Sequence, residues 1–269
     1  MIQLKNVSVQ FDRFVAMHPT SLSFKQGQFT VLLGASGAGK STLLRCLNLM
    51  RHPSSGSIEI VDLGSLEDQR NLKVHRRQTG MIFQQHQLIG RRSALENVLM
   101  GRLGYHSTLR SLFPLSQQEQ SIGLHSLERV GLLDKALSRV DQLSGGQQQR
   151  VGIARALTQQ PRLILADEPV ASLDPATADK VLEMLHRICK EDGITAVVSL
   201  HQVDLAKRYA DRIIGLAHGR VVCDAAPERL TDVQLSELYD QKQNFSERQV
   251  HQSSNPISPI SFTTSEELA

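Results

Sequence analysis

The chain has 269 residues, 40% of them hydrophobic and 21% charged, and a formal net charge of +3. That is enough to bury one large core, or a core with a smaller subdomain, and it is too apolar and too near neutrality for a mostly disordered polypeptide. No run approaches the roughly 18 apolar residues of a membrane-crossing helix, and no repeat marks a solenoid or propeller. The start alternates like a strand instead of a charged-then-apolar leader. Cys46, Cys189 and Cys223 are widely spaced without a metal-ligand pattern, which fits idle thiols in a reducing cytosol. No Lys/Arg block argues for a nucleic-acid partner.

In chain order, the first elements read as β. Val7, Val9 and Phe11 alternate, as do Leu22 and Phe24, and residues 29–33 form the short apolar run of a buried strand. A Gly-rich turn then leads into a helix from Lys40, with Leu43, Leu44 and Leu47 on one face. Residues 56–60 read as a turn and a further strand. From about 88 to 145 the pattern becomes helical. Ser116 and Glu119 have capping-box spacing, Leu124, Leu127 and Val130 follow, and Gly131 is a helix stop.

The β/α alternation returns at residues 163–166, a buried-strand run ending in Asp167 and Glu168. Asp174 and Pro175 open a helix with Val181, Leu182, Leu185 and Ile188 on its apolar side. A third apolar run, 194–200, ends at His201, and two β runs flank His218 and Gly219 as a hairpin. Residues 243–269 are polar and Ser-rich and read as a flexible tail. Strands alternating with helices predict a largely parallel sheet with ligands at the strand C-terminal ends.

Gly34-Ala35-Ser36-Gly37-Ala38-Gly39-Lys40-Ser41 matches G-x-x-x-x-G-K-[ST] between a predicted strand and a predicted helix, the context that sets it apart from a Gly-rich turn with a surface lysine. Glycines let successive N–H groups curl toward phosphate oxygens, and the helix that runs on through Thr42 aims its positive end at the same anion. Lys40 supplies a mobile charge for the β- and γ-phosphates, and the Ser41 hydroxyl suits Mg²⁺. Asp167 is the candidate for holding Mg²⁺ through its water, and Glu168 for the general base toward a water attacking the γ-phosphate. Ser144, Gly145, Gly146 and Gln147 open another predicted helix. They read either as an N-cap turn or as a second anion site.

Taken together, residues 1–230 resemble the nucleotide-binding subunit of ATP-binding cassette (ABC) transporters, most specifically in the Leu-Ser-Gly-Gly-Gln segment 143–147. The resemblance implies an α/β P-loop NTPase fold: a mainly parallel sheet core, an antiparallel β subdomain and an inserted helical subdomain. Its divisions would fall at 1–87, 88–145 and 146–242, followed by the tail 243–269. It further implies that Phe11 stacks on adenine, with Phe14 as competitor. Gln84 would contact Mg²⁺ and the attacking water. Ser172, Leu173 and Asp174 would form the D-loop, and His201 would hold the γ-phosphate. Ala35 and Ala38 stand where the family often carries Pro and Ser, positions that contribute backbone, so little effect is expected.

In such proteins two subunits pair head to tail, each ATP lying between the Lys40 loop of one chain and Ser144 of the other. That would explain two anion sites in one chain. The subunit docks on two membrane permease subunits at the cytoplasmic face of the cell membrane, through a surface near Gln84 and residues 89–101. Segments 94–104, 144–150, 166–175 and 200–204 look like the ATPases of phosphonate importers, served by a phosphonate-binding protein. Phosphite importers are close relatives, and importers of other small solutes or a soluble ATPase of the carbon–phosphorus lyase machinery are the alternatives. A DNA-repair type of cassette is opposed by the lack of sustained heptads between Lys40 and Ser144, and an ordinary P-loop kinase by the Leu-Ser-Gly-Gly-Gln segment.

Overall fold

The computed structural model describes residues 2–85, 87–107, 109–110 and 113–239; the tail expected over 243–269 lies outside them. The elements run β1 (Ile2–Phe11), β2 (Phe14–Phe24), β3 (Phe29–Leu33), α1 (Lys40–Leu47), β4 (Ser55–Ile60), β5 (Gly64–Ser65), α2 (Gln69–Arg77) and β6 (Thr79–Ile82). There follow α3 (Ala94–Leu99), α4 (Gln117–Arg129), α5 (Gly145–Thr158), β7 (Leu163–Ala166), α6 (Pro175–Glu191), β8 (Thr195–Ser199), α7 (Val203–Tyr209), β9 (Arg212–Ala217), β10 (Arg220–Ala225) and α8 (Asp232–Tyr239).

Apolar alternation builds the first sheet. Ile2, Leu4, Val7 and Val9 are buried, whereas Lys5, Gln10 and Phe11 face outward. Strands β1 and β2 pair antiparallel, and β4 and β5 complete the order β2-β1-β4-β5. The second sheet has the order β10-β9-β3-β8-β7-β6, parallel from β9 to β6, with β10 antiparallel at the edge.

Strands β3, β7 and β8 are buried at every residue because the central sheet is covered on both faces. Val31, Leu33, Ile164, Ala166, Ala196 and Val198 point into one core, shared with α5 and α6. Leu32, Leu163, Leu165 and Val197 point into the other, shared with α1 and the first sheet. Cutting one of these larger side chains to alanine costs about 2–5 kcal/mol. The apolar runs read as buried strands thus feed two cores on opposite faces of one sheet.

The helical insertion starts its helices with complete capping boxes, Ser93 with Glu96 on α3 and Ser116 with Glu119 on α4. Each box satisfies orphan donors of the first turn and contributes about 1 kcal/mol. Helices α3 and α4 pack on α5, which also lies against β6 and α6. At Gly80 of β6 a Cβ would approach the Ala156 Cβ to 3.0 Å, a measure of how closely α5 sits on the sheet. Helix α5 therefore belongs mechanically to both the insertion and the core. No helix among the described residues is long and apolar enough to cross a membrane.

Candidate active site

Strand order builds the site. With β8 between β3 and β7, three strand ends deliver the Gly34–Lys40 loop, the segment from Ser199 to His201, and the Asp167–Glu168 pair to one edge. The loop depends on one close approach and one glycine cap. Gly34, at φ 147°, lies where a Cβ would meet the Leu216 carbonyl oxygen at 2.1 Å. Gly39 caps α1 at φ 105° and offers its first turn no side-chain hydrogen bond, which leaves the helix N–H groups to an anion.

Lys40 is 3% exposed. Its Nζ donates to the carbonyls of Gly34 (2.7 Å) and Ala35 (3.0 Å) and lies 3.4 Å from His201 Nδ1. Burial pulls this ammonium below its ordinary pKa, opposed by the nearby Glu168 and Asp167 carboxylates. Because an ammonium only donates, His201 accepts at Nδ1 and carries its proton on Nε2. That N–H donates to Glu168 Oε1 at 2.5 Å. Lys40, His201 and Glu168 thus form one hydrogen-bonded line.

Asp167 is almost buried, and its Oδ1 accepts from the hydroxyls of Ser41 (2.8 Å) and Ser199 (3.0 Å). Glu168 takes φ 49°, a left-handed conformation that costs a non-glycine residue about 1–3 kcal/mol. Its backbone N–H donates to Ser199 Oγ at 2.8 Å.

The last helix also reaches the site. The Ala35 N–H donates to the Leu238 carbonyl (3.3 Å), and the Tyr239 hydroxyl donates to the His201 carbonyl (2.8 Å). Position 35 therefore does more than was expected of it, because a proline there has no N–H to give. The Ala38 carbonyl accepts from the Gly219 N–H, tying the loop to the turn between β9 and β10.

Other predicted residues stand apart. Gln84 is exposed two residues past the end of β6, and no hydrogen bond joins it to Lys40, Ser41 or Asp167 among the described residues. Phe11 and Phe14 face each other across the turn joining β1 and β2. Phe11 is the more covered of the two, with the Arg51 guanidinium 3.8 Å from its ring centre. Ser144 caps α5, accepting the Gln147 N–H while the Gln147 side chain takes the Ser144 N–H. This segment lies against the start of α6: a Cβ on Gly146 would meet Thr177 Cγ2 at 2.6 Å, and one on Gly145 would meet Leu173 at 3.8 Å. Ser172 and Asp174 are exposed beside it, and Asp174 caps α6.

Three contacts were not found from sequence. Ser199 is a single hydroxyl within an apolar run, a detectable but undirected signal. Arg45, 3.9 Å from Asp167 Oδ2, and Tyr239 give no local signal at all.

Residues 17–171, more than half of the chain, match the ABC transporter family. The chain is 65% identical over 224 residues to the phosphite import ATP-binding protein of Stutzerimonas stutzeri, covering 83% of this chain and 81% of that protein. It is 59% identical over 245 residues to a phosphonates import ATP-binding protein of Nostoc sp., covering 91% and 94%. Among solved structures, the dimeric post-hydrolysis state of the ATP-binding cassette MJ0796 bound to ADP and Pi superposes with a TM-score of 0.72. That match has 35% identity over 84% of this chain and 99% of the other.

Proposed function

The chain belongs to the ABC transporter family, and from that premise we propose that it is the ATP-hydrolysing subunit powering import of phosphonates across the cytoplasmic membrane. The observation that carries the ATPase reading is the convergence of Lys40, Ser41, Asp167, Glu168 and His201 at three adjacent strand ends. The two import relatives support the cargo, and the 65% identity to a phosphite importer supports phosphite as a second reading.

In this mechanism the loop N–H groups and the start of α1 hold the phosphates of ATP, with adenine against Phe11. Lys40 exchanges its carbonyl and imidazole partners for β- and γ-phosphate oxygens. His201 re-aims its Nε2–H hydrogen bond from Glu168 to a γ-phosphate oxygen, keeping the proton. That leaves the Glu168 carboxylate free to accept a proton from the attacking water.

Ser41 and Asp167 supply hard oxygen donors 2.8 Å apart. No group of three or more His, Cys, Asp or Glu side chains fit for a metal occurs among the described residues. Such a sparse oxygen set fits Mg²⁺, which keeps water and phosphate oxygens as its other ligands. When bound, the ion would neutralise charge on the β- and γ-phosphates. In this proposal Gln84 would add its side-chain oxygen to that set.

A second copy of the chain, head to tail, brings Ser144, Gly145, Gly146 and Gln147 to the γ-phosphate, with the D-loop Ser172, Leu173 and Asp174 at the seam. The assembly sits on two permease subunits at the cytoplasmic face, fed by a phosphonate-binding protein. The divisions 1–87, 88–145 and 146–242 belong to the same proposal.

The test is growth and labelled uptake on methylphosphonate, phosphite or phosphate as sole phosphorus source. The native host, a deletion strain and the deletion carrying wild type or Glu168→Gln are compared. Phosphonate uptake should fail in the deletion and return with wild type but not with Glu168→Gln. Loss of phosphite uptake alone establishes the second reading. Intact uptake with arrested phosphonate breakdown overturns the importer.

A further inference from the structure

We propose that Ser199 is a positioning residue for hydrolysis: its hydroxyl ties the Asp167 carboxylate to the main chain of Glu168 and so aims the Glu168 side chain. The inference rests on the ATPase reading above and concerns the same site.

Ser199 is fully buried at the end of β8, paired with Leu32 of β3 immediately before the Gly34 loop. Its one proton goes to Asp167 Oδ1, and its oxygen accepts the Glu168 N–H. A hydroxyl has one donor and two acceptor sites, so this side chain is committed to the acidic pair. General strand packing does not require such pairing: on the adjacent β3, the Thr30 hydroxyl is equally buried and has no hydrogen-bond partner among the described residues.

Geometry says what the contact does. Glu168 follows directly on Asp167 and holds φ 49°, a conformation that persists in a non-glycine residue only when its surroundings enforce it. The Glu168 N–H bond to Ser199 fixes the peptide linking the two acids. The second Ser199 bond fixes the carboxylate on the other side of that peptide, which Ser41 also holds. With that unit fixed, the Glu168 carboxylate meets His201. Without the hydroxyl, Asp167 keeps Ser41 as a donor, but the Glu168 amide loses its only anchor on β8. The base then samples directions away from the water. Lys40 and the loop, which bind the phosphates, have no bond to Ser199, so nucleotide binding should be nearly untouched.

The experiment uses the full-length chain and steady-state ATP hydrolysis, with binding of a fluorescent ATP analogue in parallel. The variants are Ser199→Ala, Ser199→Cys, Glu168→Gln and the double variant Ser199→Ala/Glu168→Gln. Cysteine keeps the packing and discards most of the hydrogen bonding, so it carries the test if the alanine variant fails to fold. Both single changes at Ser199 should lower kcat roughly ten-fold and leave KM for ATP within about two-fold, the pattern of a lost transition-state interaction. In the residual turnover of Glu168→Gln, adding Ser199→Ala should change nothing, because residues acting as a unit are not additive. A fully active Ser199→Cys, or a full further loss in the double variant, overturns the proposal while leaving the ATPase reading intact. A wild-type chain that neither binds the analogue nor hydrolyses ATP, alone or in the assembled complex, overturns both.

Discussion

The helix N-termini of α1 and α5 look alike in sequence, each introduced by glycine and serine, yet they are built for different situations. At α1 the cap is Gly39 without a side-chain bond, and the space in front is walled by Lys40, Asp167, Ser199 and His201, all bonded to one another or to the loop. At α5 the cap is Ser144, which closes a capping box with Gln147 and stands exposed against the start of α6. One terminus has no side-chain cap and opens onto a ring of mutually bonded polar side chains. The other is a stable edge presented outward, and it becomes part of a site only if something is brought to it.

The contrast is broken most severely at Lys40. Lys40→Ala should cut hydrolysis by about a hundred-fold or more, the scale of removing a preorganised charge from a phosphoryl-transfer site. It should also weaken binding of the fluorescent ATP analogue; unchanged turnover in the assembled complex rejects the assignment of the α1 terminus.

Ser144→Arg should also stop hydrolysis, for a different reason. The one-chain affinity for the analogue should stay within about two-fold of wild type, because no bond connects Ser144 to the Lys40 loop. Mixing the two inactive variants sharpens the comparison. A head-to-tail dimer of Lys40→Ala with Ser144→Arg contains one site with both an intact Lys40 and an intact Ser144. Random mixing should therefore restore about a quarter of wild-type turnover. Absence of recovery in a verified mixed dimer means that Ser144 does not act on the other chain's ATP.

The two termini also differ in how far they could be read in advance. The Gly34–Ser41 loop was legible because its residues are contiguous and flanked by a short all-apolar strand and an amphipathic helix. The cap at Ser144 was legible for the same local reason. What could not be read was the strand order. Strand β8 follows β7 in the chain but inserts between β7 and β3, and pairing between distant segments leaves no periodic trace. Ser199 therefore looked like one polar residue in an apolar run, although its neighbours in space are the acidic pair. Helix α8 was missed more completely. It is short and weakly patterned, and its meaning lies in two contacts, the Leu238 carbonyl to the Ala35 N–H and the Tyr239 hydroxyl to the His201 carbonyl, that join parts of the chain far apart in sequence.

Those contacts give the mildest test of the comparison. If the α1 site is a self-supporting network, its outer supports should matter in proportion to the bonds they make. Tyr239→Phe removes one neutral hydrogen bond, to the His201 carbonyl, and keeps the ring against the core. The net worth of such a bond is about 0.5–1.5 kcal/mol. Because the bond holds the main chain of His201 and not its ring, the change should lower kcat by no more than about ten-fold, with ATP-analogue binding and Ser144-dependent dimer formation unchanged. Steady-state kinetics alongside size-exclusion chromatography with ATP would measure both. A loss as large as that of Lys40→Ala would mean that α8 is a working part of the site. In that case the comparison must be redrawn, with the α1 terminus leaning on α8 much as the α5 terminus is proposed to lean on a second copy.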